Sequence, residues 1–353
     1  MNFAPEPLRV LIRDIFAAAG SNPEEADSMG QHLVGANLAG HDSHGVIRVS
    51  FYIDWMRQGK VFANRDLEVV FENDAMALVD AHMGYGIALG KQAIRLGLDK
   101  CRNNGVSVIA LRNSSHLGRI GYWAEMVAAE NKVSLNFVNT TGLGMLVAPL
   151  GGIGRRLSAN PLAIGIPIPD QPPLVLDIST SMIAEGKLKV AHNKGVTVPD
   201  GCIIDAAGNP TNDPNVFYGD PPGAILPFGG HKGYGLGVIT DILAGALTGG
   251  GCTQAGKQQL EQGMLSIIID PQVLQTSDAF FAEVRALIDW VKGAEKRTPE
   301  AEILVPGEIE ARHRTERQAN GIPLDDTTWS QICDTARSLS VSEQTIEAPL
   351  LRD

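Results

Sequence analysis

The chain has only four cysteines, Cys101, Cys202, Cys252 and Cys333, and no two of them form a C-x-x-C pair. That excludes the usual structural-zinc spacing and gives no disulfide framework, so reduced and buried thiols are expected. Long apolar runs are missing too: none approaches the about 18 residues of a membrane span. Met1-Asn2-Phe3-Ala4-Pro5 has neither the basic start nor the apolar core of a secretory leader. No membrane partner and a cytoplasmic location are therefore expected. Basic clusters are absent as well. With a formal charge of -11 over 353 residues, the chain lacks the concentrated Lys/Arg surface that phosphate backbones require, which excludes nucleic acid as a partner. Neither G-x-G-x-x-G nor G-x-x-x-x-G-K-[ST] occurs, so both common glycine signatures of nucleotide binding are lacking.

What is present is ordinary globular material, 44% hydrophobic and 20% charged, with length enough for one large domain and a smaller lobe. The apolar spacing predicts a helix over Pro7 to Ala19, then a capping box at Ser21-Asn22-Pro23-Glu24 that opens a second helix. Helices dominate to about Lys60. Strands are predicted at Leu67–Phe71, Met76–Asp80, Val106–Leu111, Val133–Val138, Leu162–Ile168, Leu174–Ile178 and Leu265–Ile269. Helices are predicted at Ile87–Arg102, Tyr122–Glu130, Tyr234–Leu247, Ala279–Lys292 and Thr327–Ser338. This order suggests a helical small lobe over 1–66, an α+β domain over 67–310, and a helical tail over 311–353 that packs back on the first lobe.

Chemistry concentrates in Gly40-His41-Asp42-Ser43-His44-Gly45-Val46-Ile47-Arg48. If Asp42 or Ser43 caps a helix running to Tyr52, then His44, Arg48 and Tyr52 share one stripe and offer a proton donor, an anion clamp and a phenol. Val46, Val49 and Ile53 would hold the opposite face in a core. The same nine residues also suit a capped helix with a merely wetted polar face. His41 and His44 could in principle share an ion with Asp42, but no third ligand cluster accompanies them, and no metal is expected. A second cluster, Asn113-Ser114-Ser115-His116-Leu117-Gly118-Arg119, follows a strand directly, the usual place for chemistry in α/β folds. His116 is a candidate acid or base there, or a loop histidine bonded to backbone. Asp177 ends an apolar strand and needs a partner, either His44 or backbone N–H groups; it could equally cap a following helix. Gly142-Leu143-Gly144, Gly151 to Arg156 and Gly229 to Gly235 are glycine-rich turns. In the last of these, Lys232 stands at the mouth of a helix whose free N–H groups favour an anion.

Six motifs in this order, G-H-D-S-H-G-V-I-R, N-S-S-H-L-G-R-I-G-Y-W, Ser158-Ala159-Asn160-Pro161, L-V-L-D-I-S-T-S, H-K-G-Y-G and Val305-Pro306-Gly307-Glu308, resemble the malate/L-lactate dehydrogenase family of the non-Rossmann type. The resemblance spans nearly the whole chain. His192 to Cys202 and Gly321 to Asp325 are most similar to its hydroxycarboxylate dehydrogenase branch. It implies a mostly antiparallel sheet carrying a nicotinamide cofactor, NAD or NADP, which accounts for the absent Rossmann fingerprint, and it implies a homodimer. By resemblance His44 matches a proposed proton donor, Ser43 its neighbour, Asp177 a carboxylate relaying protons with that pair, and His116 a histidine assigned as acid/base in other members. Arg48 matches a substrate-carboxylate clamp. Cofactor contacts fall on stretches matching Thr140, on Pro173, Leu174, Val175, Leu176, Asp177, Ile178 and Ser179, on His231 and Lys232, and on Pro306, Gly307 and Glu308. Relatives vary at the position of Ser115 and around Arg48, which bears on side-chain specificity.

The resulting expectation is hydride transfer between a reduced nicotinamide and C2 of a 2-oxo acid, reversible to the 2-hydroxy acid. Arg48 would grip the carboxylate, Tyr52 would touch the substrate, and His44 or His116 would give the proton. Two alternatives keep the fold: reduction of a cyclic or N-methyl imino acid, and a non-catalytic ligand-binding homologue with a broken cluster. The cluster Ser43, His44, Arg48, His116 and Asp177 is intact.

Overall fold

The computed structural model describes residues 1–351. A short strand, β1 (Asn2–Phe3), leads into three helices, α1 (Pro5–Ala18), α2 (Pro23–Leu38) and α3 (Arg48–Arg57). Proline sits in the first turn of α1 and of α2, where its missing N–H has no intrahelical partner to lose. The expected capping box, Ser21 to Glu24, does not form: the N-cap lies one residue later, where Asn22 accepts from the Glu25 backbone N–H, and the Glu25 carboxylate turns away to the N–H of Asn64. An amide at the N-cap suffices, so Glu25 is free to pin the next loop.

The second region runs β2 (Glu68–Glu72), β3 (Met76–Asp80), α4 (Gly86–Asn104), β4 (Val106–Ser114), α5 (Gly121–Ala128), β5 (Val133–Thr140), β6 (Leu162–Ile166) and β7 (Leu174–Ile178). It continues through α6 (Glu185–Lys194), β8 (Ile203–Ile204), β9 (Pro210–Thr211), β10 (Ala224–Ile225), α7 (His231–Asp241), β11 (Gln262–Ile269), α8 (Pro271–Leu274) and α9 (Ser277–Lys292). Seven strands form one sheet in the order β2-β3-β4-β11-β5-β6-β7. Only β3 and β4 are parallel. That pair encloses α4, because a parallel connection must cross the sheet and needs a helix to do so. The sheet is thus mostly antiparallel, as the fold reading expected. Central β11 is buried along nearly its whole length, whereas β2 is an exposed edge. The segment from α6 to β10 forms a satellite with its own apolar cluster around Leu188, Ile203 and Phe217.

The last segment holds α10 (Glu308–Asn320), β12 (Ile322–Pro323), α11 (Asp326–Ser338) and α12 (Glu343–Glu347). Strand β12 pairs with β1, and Trp329, Ile332, Ala336 and Ile346 share one apolar core with Leu8, Ile12, Leu33 and Ile53 of the N-terminal helices. Each such side chain removed from water contributes roughly 1.5–3 kcal/mol, so the two chain ends hold one another. A second core, with Trp123 and Ile94 fully buried, joins α4 and α5 to the main sheet. Among the described residues no helix is long and apolar enough to cross a membrane. Three cysteines are buried; Cys252, expected to be so, is half-buried.

Candidate active site

The opening motif folds differently from the single helix its spacing suggests. Asp42–His44 forms a separate 3-10 turn, and α3 begins only at Arg48. Gly45 breaks the run: a Cβ there would lie 2.1 Å from the Asn37 Oδ1, which accepts from the N–H of Val46. His44 is therefore not on the stripe with Arg48 and Tyr52. Val46, Val49 and Ile53 are fully buried, as the apolar face required.

Although His44 leaves the helix, tertiary packing gathers the same groups. Its ring stacks on that of His116, centroids 5.5 Å apart. Tyr52 does not present its phenol to an open site. It is buried, and its hydroxyl lies 2.7 Å from His116 Nδ1. The N–H of Gly118 donates to the same nitrogen at 3.2 Å. Nδ1 of His116 is therefore an acceptor, Tyr52 donates to it, and the ring proton sits on Nε2. His44 Nδ1 meets only the Ser43 hydroxyl, at 3.0 Å, which can donate or accept. Arg48 donates through Nε to the Ser43 carbonyl at 2.7 Å, and among the described residues neither of its terminal nitrogens has a partner.

Electrostatics keeps both rings neutral. Burial, then Arg48, His41 and Arg119, push His44 down to about 3. Burial, then Arg48, His44 and His32, hold His116 well below the ordinary histidine range. Two neutral rings beside an unused guanidinium edge suit an anion.

Asp177 finds neither histidine. Its Oδ2 accepts from the N–H of Gly121 at 2.9 Å and lies 3.3 Å from Arg119 Nε. Burial raises this carboxyl despite the neighbouring guanidinium. Of the two partners expected for Asp177, the backbone N–H is found and His44 is not, and Arg119 adds a buried ion pair at the start of α5. Arg119 was passed over in the sequence because it read as one loop residue among several; it is 2% exposed and also bonds Glu125 at 2.8 Å. His32 was missed for the opposite reason, as an unremarkable residue inside a helix. Its Nε2 accepts from the Arg119 backbone N–H at 2.8 Å and fixes the turn after His116. Gln262 had no local signal at all, yet it bonds both the N–H of Leu117 and the hydroxyl of Thr140.

The stretches matched to cofactor contacts fall into neighbouring places. The Val175 N–H donates to the Pro306 carbonyl at 3.2 Å, which joins β7 to the segment Pro306–Glu308. Beyond Ser179, Thr180 accepts from the N–H of Phe228 just before the Gly229–Gly230 turn into α7. The Thr140 N–H donates to the side-chain oxygen of Asn160, whose amide nitrogen donates to the Gly237 carbonyl of α7. His231 and Lys232 are exposed in the first turn of α7, and open space surrounds the Gly230 backbone. The free N–H groups expected there are mostly spent, since Lys232, Gly233 and Tyr234 donate back to the carbonyls of Gly229, Phe228 and Gly230; the exposed Lys232 ammonium remains to meet the phosphates of a dinucleotide, and with that cation the residues fit such a cofactor. Glu308 instead bonds the N–H of Val305 and pairs with Lys292. The other glycine runs are turns: Arg155 spends its donors on the carbonyls of Gly223 and Phe217. Among the described residues no three His, Cys, Asp or Glu side chains are grouped to hold a metal.

The sequence profile of the malate/L-lactate dehydrogenase family matches residues 3–333. The chain is similar to hydroxycarboxylate dehydrogenase B of Escherichia coli (strain K12), 41% identical over 351 residues that cover 98% of this chain and 96% of that protein. Its fold is similar to sulfolactate dehydrogenase from Methanocaldococcus jannaschii, with TM-score 0.88 and 33% identity over 99% of both chains. It is also similar to delta1-piperideine-2-carboxylate reductase from Pseudomonas syringae pvar. tomato, with TM-score 0.83 and 29% identity over 95% of this chain and 100% of that one. With the antiparallel sheet and the paired histidine clusters in place, the chain belongs to the malate/L-lactate dehydrogenase family.

Proposed function

We propose that this chain is an NAD(P)-dependent oxidoreductase that interconverts a 2-oxo acid and a 2-hydroxy acid. The observation that carries the proposal is the free guanidinium edge of Arg48 beside the stacked rings of His44 and His116. A carboxylate laid on that edge receives two parallel charge-assisted bonds, which fixes its plane as well as its position. A reduced nicotinamide supplies the hydride when bound, and His231, Lys232, Thr140, Pro173–Ser179 and Pro306–Gly307 are the residues proposed to hold it.

The two histidines have different parts in this reading. His116 is fixed as the neutral Nε2–H form, since protonating Nδ1 would set it against the Gly118 N–H. It is a hydrogen-bond donor to the substrate oxygen at C2. His44 faces a hydroxyl that accepts as readily as it donates, so this ring can cycle between neutral and cationic. A bound carboxylate offsets the charge of Arg48, one of the groups that depress His44, and lets His44 take up the proton it then gives to the oxygen. In the reducing direction C2 gains a hydride, the carbonyl π bond opens, and the oxygen takes one proton from His44. Asp177 acts through Arg119, holding the start of α5 and the turn after His116.

We further propose a homodimer. Strand β2 leaves Val69, Val70 and Phe71 exposed at the sheet edge, and α9 exposes Leu287 and Trp290, the latter 82% exposed. Edges and faces of this kind are normally covered. The similarity to a piperideine-carboxylate reductase favours a second reading, reduction of a cyclic imino acid on the same site. Loss of nicotinamide absorbance across a panel of 2-oxo acids, each with and without methylamine, and of cyclic imino acids, with NADH and with NADPH, tests both. Turnover of 2-oxo acids alone supports the first reading, turnover of cyclic imino acids or amine-dependent turnover the second, and no turnover with any substrate defeats both.

A further inference from the structure

The geometry points to Arg317, on α10, as a positioning residue for the catalytic turn, acting through Asp42. This rests on the proposed role of His44. Arg317 directs one terminal nitrogen to each oxygen of Asp42, at 2.6 and 3.0 Å. The first of these nitrogens also reaches the Asn37 carbonyl in the last turn of α2. Asn37 completes the frame: its amide donates to Asp42 Oδ1 at 2.7 Å and its oxygen accepts from Val46, so one side chain spans the turn. Asp42 is the first residue of the 3-10 turn whose next two residues are Ser43 and His44. Arg48 holds the same turn from the other side through the Ser43 carbonyl.

An ion pair whose carboxylate is half exposed adds little to stability. What a two-pronged fork adds is direction. With Asp42 fixed at both oxygens, the turn has one orientation, and the His44 ring is held in its stack on His116. Helix α10 is suited to this use because other groups on it bear on the same segment: Glu310 pairs with His41, and the His313 ring closes against Gly40. Its N-terminal end adjoins Pro306, which bonds β7, so one helix spans from the proposed cofactor stretch to the catalytic turn.

The test uses the full-length protein with Arg317→Ala, Arg317→Lys, Asp42→Asn and the double variant Arg317→Ala/Asp42→Asn. Arg312→Ala is the control, since that arginine forks onto Glu302 from the same helix. A misplaced donor costs roughly 10- to 100-fold, so kcat/KM for the 2-oxo acid should fall by that factor in Arg317→Ala and Asp42→Asn. The double variant should be no worse than either single one. Arg317→Lys should recover part of the loss, and cofactor affinity by fluorescence should hold. The His44 ring resonances should move in the three damaging variants and stay in Arg312→Ala. Unchanged kinetics with unmoved resonances, or losses in the double variant that multiply, would overturn the inference. If Arg317→Ala does not fold, Arg317→Lys and Asp42→Asn decide. If the wild type reduces no substrate, the proposed function fails while the resonances still report on the turn.

Discussion

Replacing Arg48 by lysine removes the fork and keeps the charge. In the native chain Nε is committed to the Ser43 carbonyl at 2.7 Å and the two terminal nitrogens are free. Lysine can place one ammonium near the substrate carboxylate or near Ser43, but not at both. A hydrogen bond to a charged group is worth about 1.5–3 kcal/mol. At about 1.4 kcal/mol per decade, losing one such bond to the carboxylate raises KM by roughly 10- to 150-fold. Because the bond exists before and during hydride transfer, kcat should fall by less, on the order of a few-fold, through the slackened Ser43 carbonyl. Steady-state kinetics on the best 2-oxo acid gives both numbers, and fluorescence titration of the cofactor gives the control. A KM within about twofold of wild type would refute the assignment of Arg48 as the carboxylate clamp. So would a loss confined to cofactor affinity.

His44→Asn should lower kcat about 10²–10⁴-fold and erase the pH dependence of turnover, whereas His116→Asn should slow turnover and leave that dependence in place; the reverse pattern passes the donor role to His116. Native His32 and His116 stay neutral where the unfolded chain protonates, because burial holds both well below the ordinary range. The unfolded state therefore binds more protons below about pH 6.5. Stability is full above that pH and falls as the pH drops, by up to about 1.4 kcal/mol per pH unit for each ring. Urea midpoints that stay flat between about pH 7.5 and 5.5 would contradict this sign. Gly118 has φ 72° and a Cβ there would lie 2.1 Å from His32 Nε2, so Gly118→Ala should cost about 1–3 kcal/mol and lower kcat; an unshifted melting temperature argues against it. Turnover should survive EDTA, and its loss with recovery on added zinc or magnesium would reveal a metal requirement.

Much of this could be read from the residues, and the parts that could not share a physical origin. Strands β3, β5 and β7 and helices α4, α9 and α11 lie close to their predicted limits because alternation and 3.6-residue spacing are local properties. Helix α6 and the three short strands beside it escaped, since two-residue strands carry no period and the apolar residues of α6 are sparse. The His44–Arg48–Tyr52 stripe looked helical because nothing in nine residues reveals Asn37, whose oxygen forces the break at Gly45. For Asp177 the residues left His44 and backbone N–H groups equally open, and only the fold brings up the N–H of Gly121 and the guanidinium of Arg119 that settle its partners. His32, Gln262 and Arg317 act across 87, 145 and 275 positions, respectively, a range at which sequence pattern is silent.

The central claim is that hydride passes from a nicotinamide to C2 of a 2-oxo acid oriented on Arg48. It is tested most directly by running the reduction with cofactor deuterated at the transferred position and weighing the product. The account predicts a 2-hydroxy acid heavier by one deuterium at C2, formed by the wild type and recovered at much lower yield with Arg48→Lys at low substrate. A product without the label at C2, or no 2-hydroxy acid at any substrate concentration, would contradict it.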